Sequence, residues 1–263
     1  MSKIYCFLGM LSFLFMTSCI SNKDLVYIQD ANSKNQTAAI EQMALKPYRL
    51  KVSDVVSIRI KALDSKLVEM FNVASDGKVS TSPEGLYFDG FTVDDHGNIR
   101  IPILGDVAVM GLTFDEVRQK IEKQLLQDYF NREADVFVTV KLAGLRYTIN
   151  GEIASPGTKT LLQDKVTILE AVANSGDITL VGNRKDVVII RQYPHGTEIH
   201  SVDLTNVDVI KSPYYYIQPN DYIYVKPLKQ KTWGIGTNGL QSFTTIFSAL
   251  SLVLTTYLII KNN

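Results

Sequence analysis

The stretch Asp95-His96-Gly97-Asn98-Ile99-Arg100-Ile101-Pro102-Ile103-Leu104-Gly105-Asp106-Val107-Ala108-Val109-Met110-Gly111-Leu112-Thr113-Phe114 decides how the rest of the chain is read. Asp95, Gly97 and Asn98 supply turn chemistry, and Ile99, Ile101 and Ile103 then alternate with Arg100 and Pro102, the pattern of a half-buried strand. Gly105-Asp106 reads as a second turn, and Val107 and Val109 continue the period of two. Thr113 followed three residues later by Glu116 is a capping box, so a helix is expected to start at Phe114. Along it Val117, Ile121, Leu125 and Leu126 share one face, while Arg118, Lys120, Glu122 and Lys123 face water. Val136, Val138 and Val140 then resume the strand period. The unit is hairpin, helix, strand.

Outward from this unit, Tyr48 to Ile60 reads as strand, turn and strand, the turn falling at Ser53-Asp54. On the C-terminal side, Leu145 to Ile149 reads as a strand and Pro156-Gly157 as a turn. Thr167 or Asp164 caps a short helix that closes at Gly176. Val187 to Arg191, Ile199 to Leu204 and Tyr222 to Val225 complete a small mixed sheet around that helix. Gly97, Gly105, Gly151 and Gly157 are expected to be structural, each at a turn that asks for glycine's conformational freedom. The interval from Leu63 to Asp94 is turn-rich without a sustained period and reads as an insertion. Its aromatics Tyr87, Phe88 and Phe91 either line an interface or pin the loop to the body.

The chain has 263 residues, 46% of them hydrophobic, enough for two modest domains with real cores. Lys plus Arg and Asp plus Glu both count 27, and no local basic run offsets that balance, so nucleic acid is not an expected partner. Both cysteines, Cys6 and Cys19, lie near the N-terminus, which leaves the body without a disulfide or a thiolate metal site. Ile4 to Met16 is an apolar run too short to span a bilayer, and Thr17-Ser18-Cys19 supplies small residues for cleavage, the arrangement of a lipoprotein signal. Acyl chains such as palmitate on Cys19 would hold a soluble body at a membrane, each buried CH2 contributing about 0.8 kcal/mol. A plain secretory signal with an incidental cysteine is the alternative. Residues 19–46 read as a tether with one short ordered segment at Leu25 to Ile28.

The run Phe243 to Ile260 carries no charge, and a helix over 240–260 would rise about 31 Å, close to a hydrocarbon core. This predicts a C-terminal transmembrane helix with Trp233, Tyr257 and Lys261 as membrane-interface anchors. Gln241, Thr244, Ser248, Ser251 and Thr255 form one stripe on it. They are candidate pore-lining residues, or hydroxyls bonded to their own backbone or packed between helices.

No catalytic set emerges. Asp94, Asp95 and His96 form the most enzyme-like cluster, but adjacent strand residues diverge and a turn accounts for all three. His195 and His200 lack a nearby third ligand, so no metal is expected, and no phosphate-cradling loop or other cofactor site is present.

The quoted stretch, with Tyr48 to Asp54 and Asn150-Gly151-Glu152-Ile153-Ala154-Ser155-Pro156-Gly157, resembles the Wza-type polysaccharide biosynthesis/export proteins of Gram-negative outer membranes. The resemblance implies an α+β chain in ordered parts: a lipoprotein signal peptide at 1–18, a lipid-anchored tether at 19–46, a small mixed-sheet polysaccharide export domain at 47–141, a β-grasp-like SLBB domain at 145–228 and the terminal helix at 240–260. It implies an outer-membrane lipoprotein, mostly periplasmic, whose homo-oligomeric ring forms a channel for capsular polysaccharide or exopolysaccharide. Its implied partners are the glycan, the lipid bilayer and an inner-membrane polysaccharide copolymerase, tyrosine-kinase-like or a chain-length regulator. A membrane-tethered glycan-binding or scaffold protein without a pore is the alternative. Ser53 stands where the family has glycine, which predicts a less demanding turn there, and Asn220 replaces the glycine of a Pro-Gly-Asp turn as a residue that tolerates the left-handed region.

Overall fold

The computed structural model describes residues 22–29, 47–62, 68–72, 85, 88–130, 135–193, 195–229 and 239–262. Two apolar cores organise the chain between Leu50 and Val225.

The first core lies under a three-stranded antiparallel sheet of β1 (Val55–Ala62), β2 (Phe91–Thr92) and β5 (Val136–Leu142), in the order β2-β1-β5. β3 (Asn98–Ile101) and β4 (Gly105–Ala108) form the hairpin of the opening stretch. Helix α1 (Asn22–Leu25) precedes the lobe, and helix α2 (Phe114–Asp128) closes it. The Thr113 side chain accepts from the Glu116 N–H while the Glu116 carboxylate accepts from the Thr113 N–H, so the capping box satisfies two otherwise unpaired donors. Val117, Ile121 and Leu125 are fully buried, at the spacing of four that one helix face requires.

Two details of this lobe depart from the sequence reading. β3 ends at Ile101, because Pro102 has no N–H to donate to the ladder, and Ile103 sits in the hairpin turn at φ 66°, 51% exposed. Ser53 takes φ 69°, so serine adopts the left-handed conformation of the glycine it replaces instead of relaxing the turn. In the 63–94 interval Phe91 is buried in the first core and Phe88 is exposed, while Tyr87 lies outside the described residues.

The second core is covered by a five-stranded mixed sheet, ordered β10-β9-β12-β6-β7. Its strands are β6 (Leu145–Gly151), β7 (Gly157–Leu161), β9 (Gly182–Tyr193), β10 (Gly196–Val202) and β12 (Tyr222–Pro227). β12 runs parallel to β6 and antiparallel to β9. β8 (Val166–Thr167) pairs with β11 (Tyr216–Ile217) beside α3 (Ile168–Asn174), which a second capping box, Thr167 with Glu170, starts. Helix α3 buries Ile168, Ala171 and Val172 in this core.

The expected membrane-spanning helix is corrected. Helix α4 runs Gly239–Asn262, yet among the described residues no helix is long and apolar enough to cross a membrane. Along α4, Ser248 donates to the Thr244 carbonyl at 2.8 Å, Ser251 to Ser248 at 2.8 Å and Thr255 to Ser251 at 2.6 Å, so these hydroxyls are satisfied by the helix's own backbone. The chain is mixed α+β without a spanning helix among these residues.

Candidate functional site

The two lobes meet through a pair of similar turns. In the first, the Asp54 carboxylate accepts from the Lys51 N–H at 2.8 Å, and Ser53 before it has positive φ. In the second, the Asp221 carboxylate accepts from the Gln218 N–H at 2.7 Å, and Asn220 before it has φ 63°. Each aspartate also donates its own N–H to the carbonyl three residues back, Lys51 or Gln218. Each leads directly into a central strand, β1 or β12, and both are buried, at 2% and 1% exposure. A left-handed residue followed by an inward carboxylate reverses the chain and satisfies the turn's N–H without water.

The junction is built from the residues flanking these aspartates. Lys51 reaches from the first lobe and donates to Gln218 Oε1 at 2.9 Å and to the Gln192 carbonyl at 3.2 Å. Its ammonium also lies 4.8 Å from the centroid of the Tyr193 ring and 5.7 Å from that of Tyr48. Burial and then the nearby Arg191 charge depress its pKa. Arg191 lies wholly inside and forks onto Asp221, Nε to Oδ1 at 2.9 Å and NH2 to Oδ2 at 2.7 Å, with NH2 also donating to the Tyr216 carbonyl. Burial opposes the guanidinium charge, but its bonds and attraction to Asp221 outweigh that, and its pKa is raised.

Asp54 lacks such a partner. Tyr48 donates to its Oδ2 at 2.7 Å, while Oδ1 is buried with no hydrogen bond. Burial pushes the Asp54 carboxyl up, and burial together with the Asp54 charge pushes the Tyr48 hydroxyl up. The arrangement fixes positions and offers no nucleophile beside a base.

The other residues singled out from sequence sit as follows. Asp94 Oδ1 accepts from the His96 and Asn98 N–H groups at 2.9 and 2.8 Å, a turn and not an acid-base pair. Gly97 and Gly105 both have φ 81° at the two ends of the β3–β4 hairpin. Gly151 has φ 92°, and a Cβ there would lie 2.1 Å from the Val225 carbonyl oxygen. Gly157 has φ 131° with open space around it. His195 and His200 share one carboxylate, that of Glu198, at 3.3 and 2.9 Å, with the Tyr214 hydroxyl 2.6 Å from His200 Nε2. Among the described residues no group of three or more His, Cys, Asp or Glu could hold a metal.

Cys19 and Trp233 lie outside the described residues. Thr244, Ser248, Ser251 and Thr255 are exposed on α4, but so are Phe247, Leu250 and Leu254, so the helix does not sort a polar lining from an apolar surround. The backbone of Gln241 and Lys261 belongs to α4, and Tyr257 is 58% exposed. With no spanning helix among the described residues, neither the pore-lining set nor the interface anchors are assigned to a bilayer crossing.

Sequence reading missed the Arg191–Asp221 pair. A signal was present, because Val187, Ile189 and Arg191 share the inward parity of β9, and a charge on that face demands a buried partner.

Two α+β lobes meet through Lys51, and the second is braced internally by the buried Arg191–Asp221 pair. Residues 42–141, a span that includes the first lobe, match the family model described as Polysaccharide biosynthesis/export protein. It is similar to the EPS I polysaccharide export outer membrane protein EpsA of Ralstonia solanacearum, 24% identical over 161 residues, which cover 60% of this chain and 42% of that protein. The protein of the same description in Ralstonia nicotianae is 24% identical over 148 residues, covering 55% of this chain and 39% of its own. The matches thus span about two fifths of the length of these curated relatives. Both are named as outer membrane proteins.

Proposed function

We propose that this protein is an outer-membrane component of polysaccharide export, anchored by acyl chains on Cys19 and assembled as a closed homo-oligomer through which the glycan passes. The observation that carries the reading is that the family match, 42–141, takes in the described residues of the first lobe, with its own core, hairpin and capped helix. The second lobe, read as the SLBB domain, is then held against it by Lys51 and stiffened internally by Arg191–Asp221. Rigid lobes suit a ring, because closed symmetry fixes the angle between neighbouring subunits. Passage of a hydrated chain needs no nucleophile or metal. The inner-membrane partner is a polysaccharide copolymerase that meets the ring across the periplasm.

The test is deletion of the gene in its native host with quantification of cell-surface polysaccharide, coupled to native mass and negative-stain imaging of the detergent-extracted protein. Export reads as loss of surface glycan restored by the wild-type chain, and a ring reads as particles of one closed symmetry. Normal surface glycan in the deletion strain would reject the export role, and a monomer that still restores export would reject the ring.

A further inference from the structure

The tether expected after Cys19 is not free where it is described. From Asn22 to Gln29 the chain is fastened onto the second lobe. Asp24 pairs with Lys185 at 2.6 Å, the Tyr27 hydroxyl donates to Asp177, and the Arg184 guanidinium stacks 5.2 Å from the Tyr27 ring. The Ile28 and Gln29 N–H groups donate to the Leu204 and Thr205 carbonyls at 3.1 and 2.6 Å, and the Val207 N–H donates back to Gln29 at 3.2 Å. Burial, with the Asp177 bond, pushes the Tyr27 hydroxyl up to about 12.

The clip has a direction. Tyr27 points into the lobe, so its neighbours Val26 and Ile28 point out, at 44% and 40% exposure. Ile28 holds φ 51°, a conformation that a β-branched residue rarely adopts. Leu180, in the 177–181 loop that receives Tyr27 just before β9 takes Asp24 at Lys185, is 59% exposed. The chain also leaves β12 at this end, where the Leu228 N–H donates to the Val181 carbonyl at 2.7 Å.

Only three peptide steps separate Cys19 from Asn22, a reach of about 11 Å at full extension. Acyl chains on Cys19 therefore cannot stand off from the lobe that holds Asn22 to Gln29. We infer that the end of the second lobe formed by the Asn22–Gln29 clip and the 177–181 loop lies flat against the phospholipid surface, with Val26, Ile28 and Leu180 meeting the bilayer interface. The inference rests on the acylation of Cys19 in the functional reading above, and it adds which face of which lobe meets lipid. The first lobe then lies farther from that membrane.

The test uses the full-length acylated protein in vesicles of phosphatidylethanolamine and phosphatidylglycerol, with an environment-sensitive fluorophore on single cysteines introduced as Val26→Cys, Leu180→Cys, Phe137→Cys or Ile199→Cys. Phe137 and Ile199 serve as controls because they are at least as exposed, 67% and 68%, on β5 and β10. A nitroxide-bearing phospholipid should quench labels at 26 and 180 several-fold more than labels at 137 and 199. Equal quenching at all four sites, or labels at 26 and 180 shielded by a neighbouring copy without lipid quenching, would overturn the membrane face while acylation stands. Intact mass showing no acyl group on Cys19 would overturn the anchor and this inference together.

Discussion

Lys51 and Gln218 occupy the same place in two like turns, three residues before a buried aspartate, and their side chains meet at 2.9 Å across the lobe junction. The contact is half-buried and made by one charged donor, so its net worth is about 1 kcal/mol. A double-mutant cycle of Lys51→Ala and Gln218→Ala, read by urea unfolding, should give a coupling of that size. Strict additivity would mean that Lys51 acts through the Tyr193 ring and the Gln192 carbonyl instead.

Arg191 and Asp221 should behave as a unit. Each is almost entirely buried, at 2% and 1%, and Arg191→Ala leaves an uncompensated carboxylate inside the second core, a loss of about 3 to 5 kcal/mol. Replacing both, Arg191→Met with Asp221→Asn, should cost less than the sum of the single changes. Thermal unfolding of the four proteins checks this, and a double variant as unstable as that sum would show that the pair is not coupled.

Acid and base act on the two lobes with opposite sign. Burial raises the folded-state pKa of Asp54 above the ordinary 3.8. The folded state therefore binds that proton more tightly, and the contribution to stability is full below the ordinary value and lost as pH rises through the folded one. Asp186 is held below its ordinary value, first by its bond from Lys226 and then by Ser201, so its contribution is present above the ordinary value and lost as pH falls. Asp54→Asn should thus gain on wild type as pH is raised from the acid side, and Asp186→Asn should lose on it. Unfolding midpoints across pH 3 to 7 decide the signs; parallel curves for Asp54→Asn and wild type would refute the first.

Gly151 and Gly157 both have positive φ, but only Gly151 has backbone against it. Gly157→Ala should cost about 1 to 2 kcal/mol, the price of a left-handed alanine. Gly151→Ala should cost more, since β6 and β12 must separate to admit the Cβ beside Val225. Equal melting temperatures for the two variants would contradict the close approach.

Ile103 is a β-branched residue at φ 66° whose carbonyl is held by the Tyr129 hydroxyl at 2.9 Å. Asparagine tolerates that conformation, so Ile103→Asn should raise stability by about 1 kcal/mol. A drop in melting temperature would show that the exposed side chain contributes packing.

What could be read from sequence was local. The capping boxes at Thr113 and Thr167, the alternation in β3 and β5, and the helix face of Val117, Ile121 and Leu125 are short-range patterns that one stretch displays by itself. Arg191 and Asp221 are 30 residues apart, and Lys51 and Gln218 are 167 apart, so no periodicity links them. The span 240–260 reads as a membrane crossing from its length and lack of charge, whereas among the described residues no helix is long and apolar enough to cross a membrane. Ser53 misled in another way: the carboxylate of Asp54 and the β1 strand impose a conformation that the serine alone would not choose.

Gln29 bridges Asn206, so the segment nearest the N-terminus is completed by residues 177 positions later in the chain. The receiving surface, from Asp177 to Val207, does not exist until the second sheet has folded. Closing so long a loop is slow, because its entropy is lost before any contact offsets it. Until that sheet has formed, the stretch from Asn22 to Gln29 therefore remains undocked. Docking comes last, so the second sheet is the template on which the N-terminal segment takes its shape.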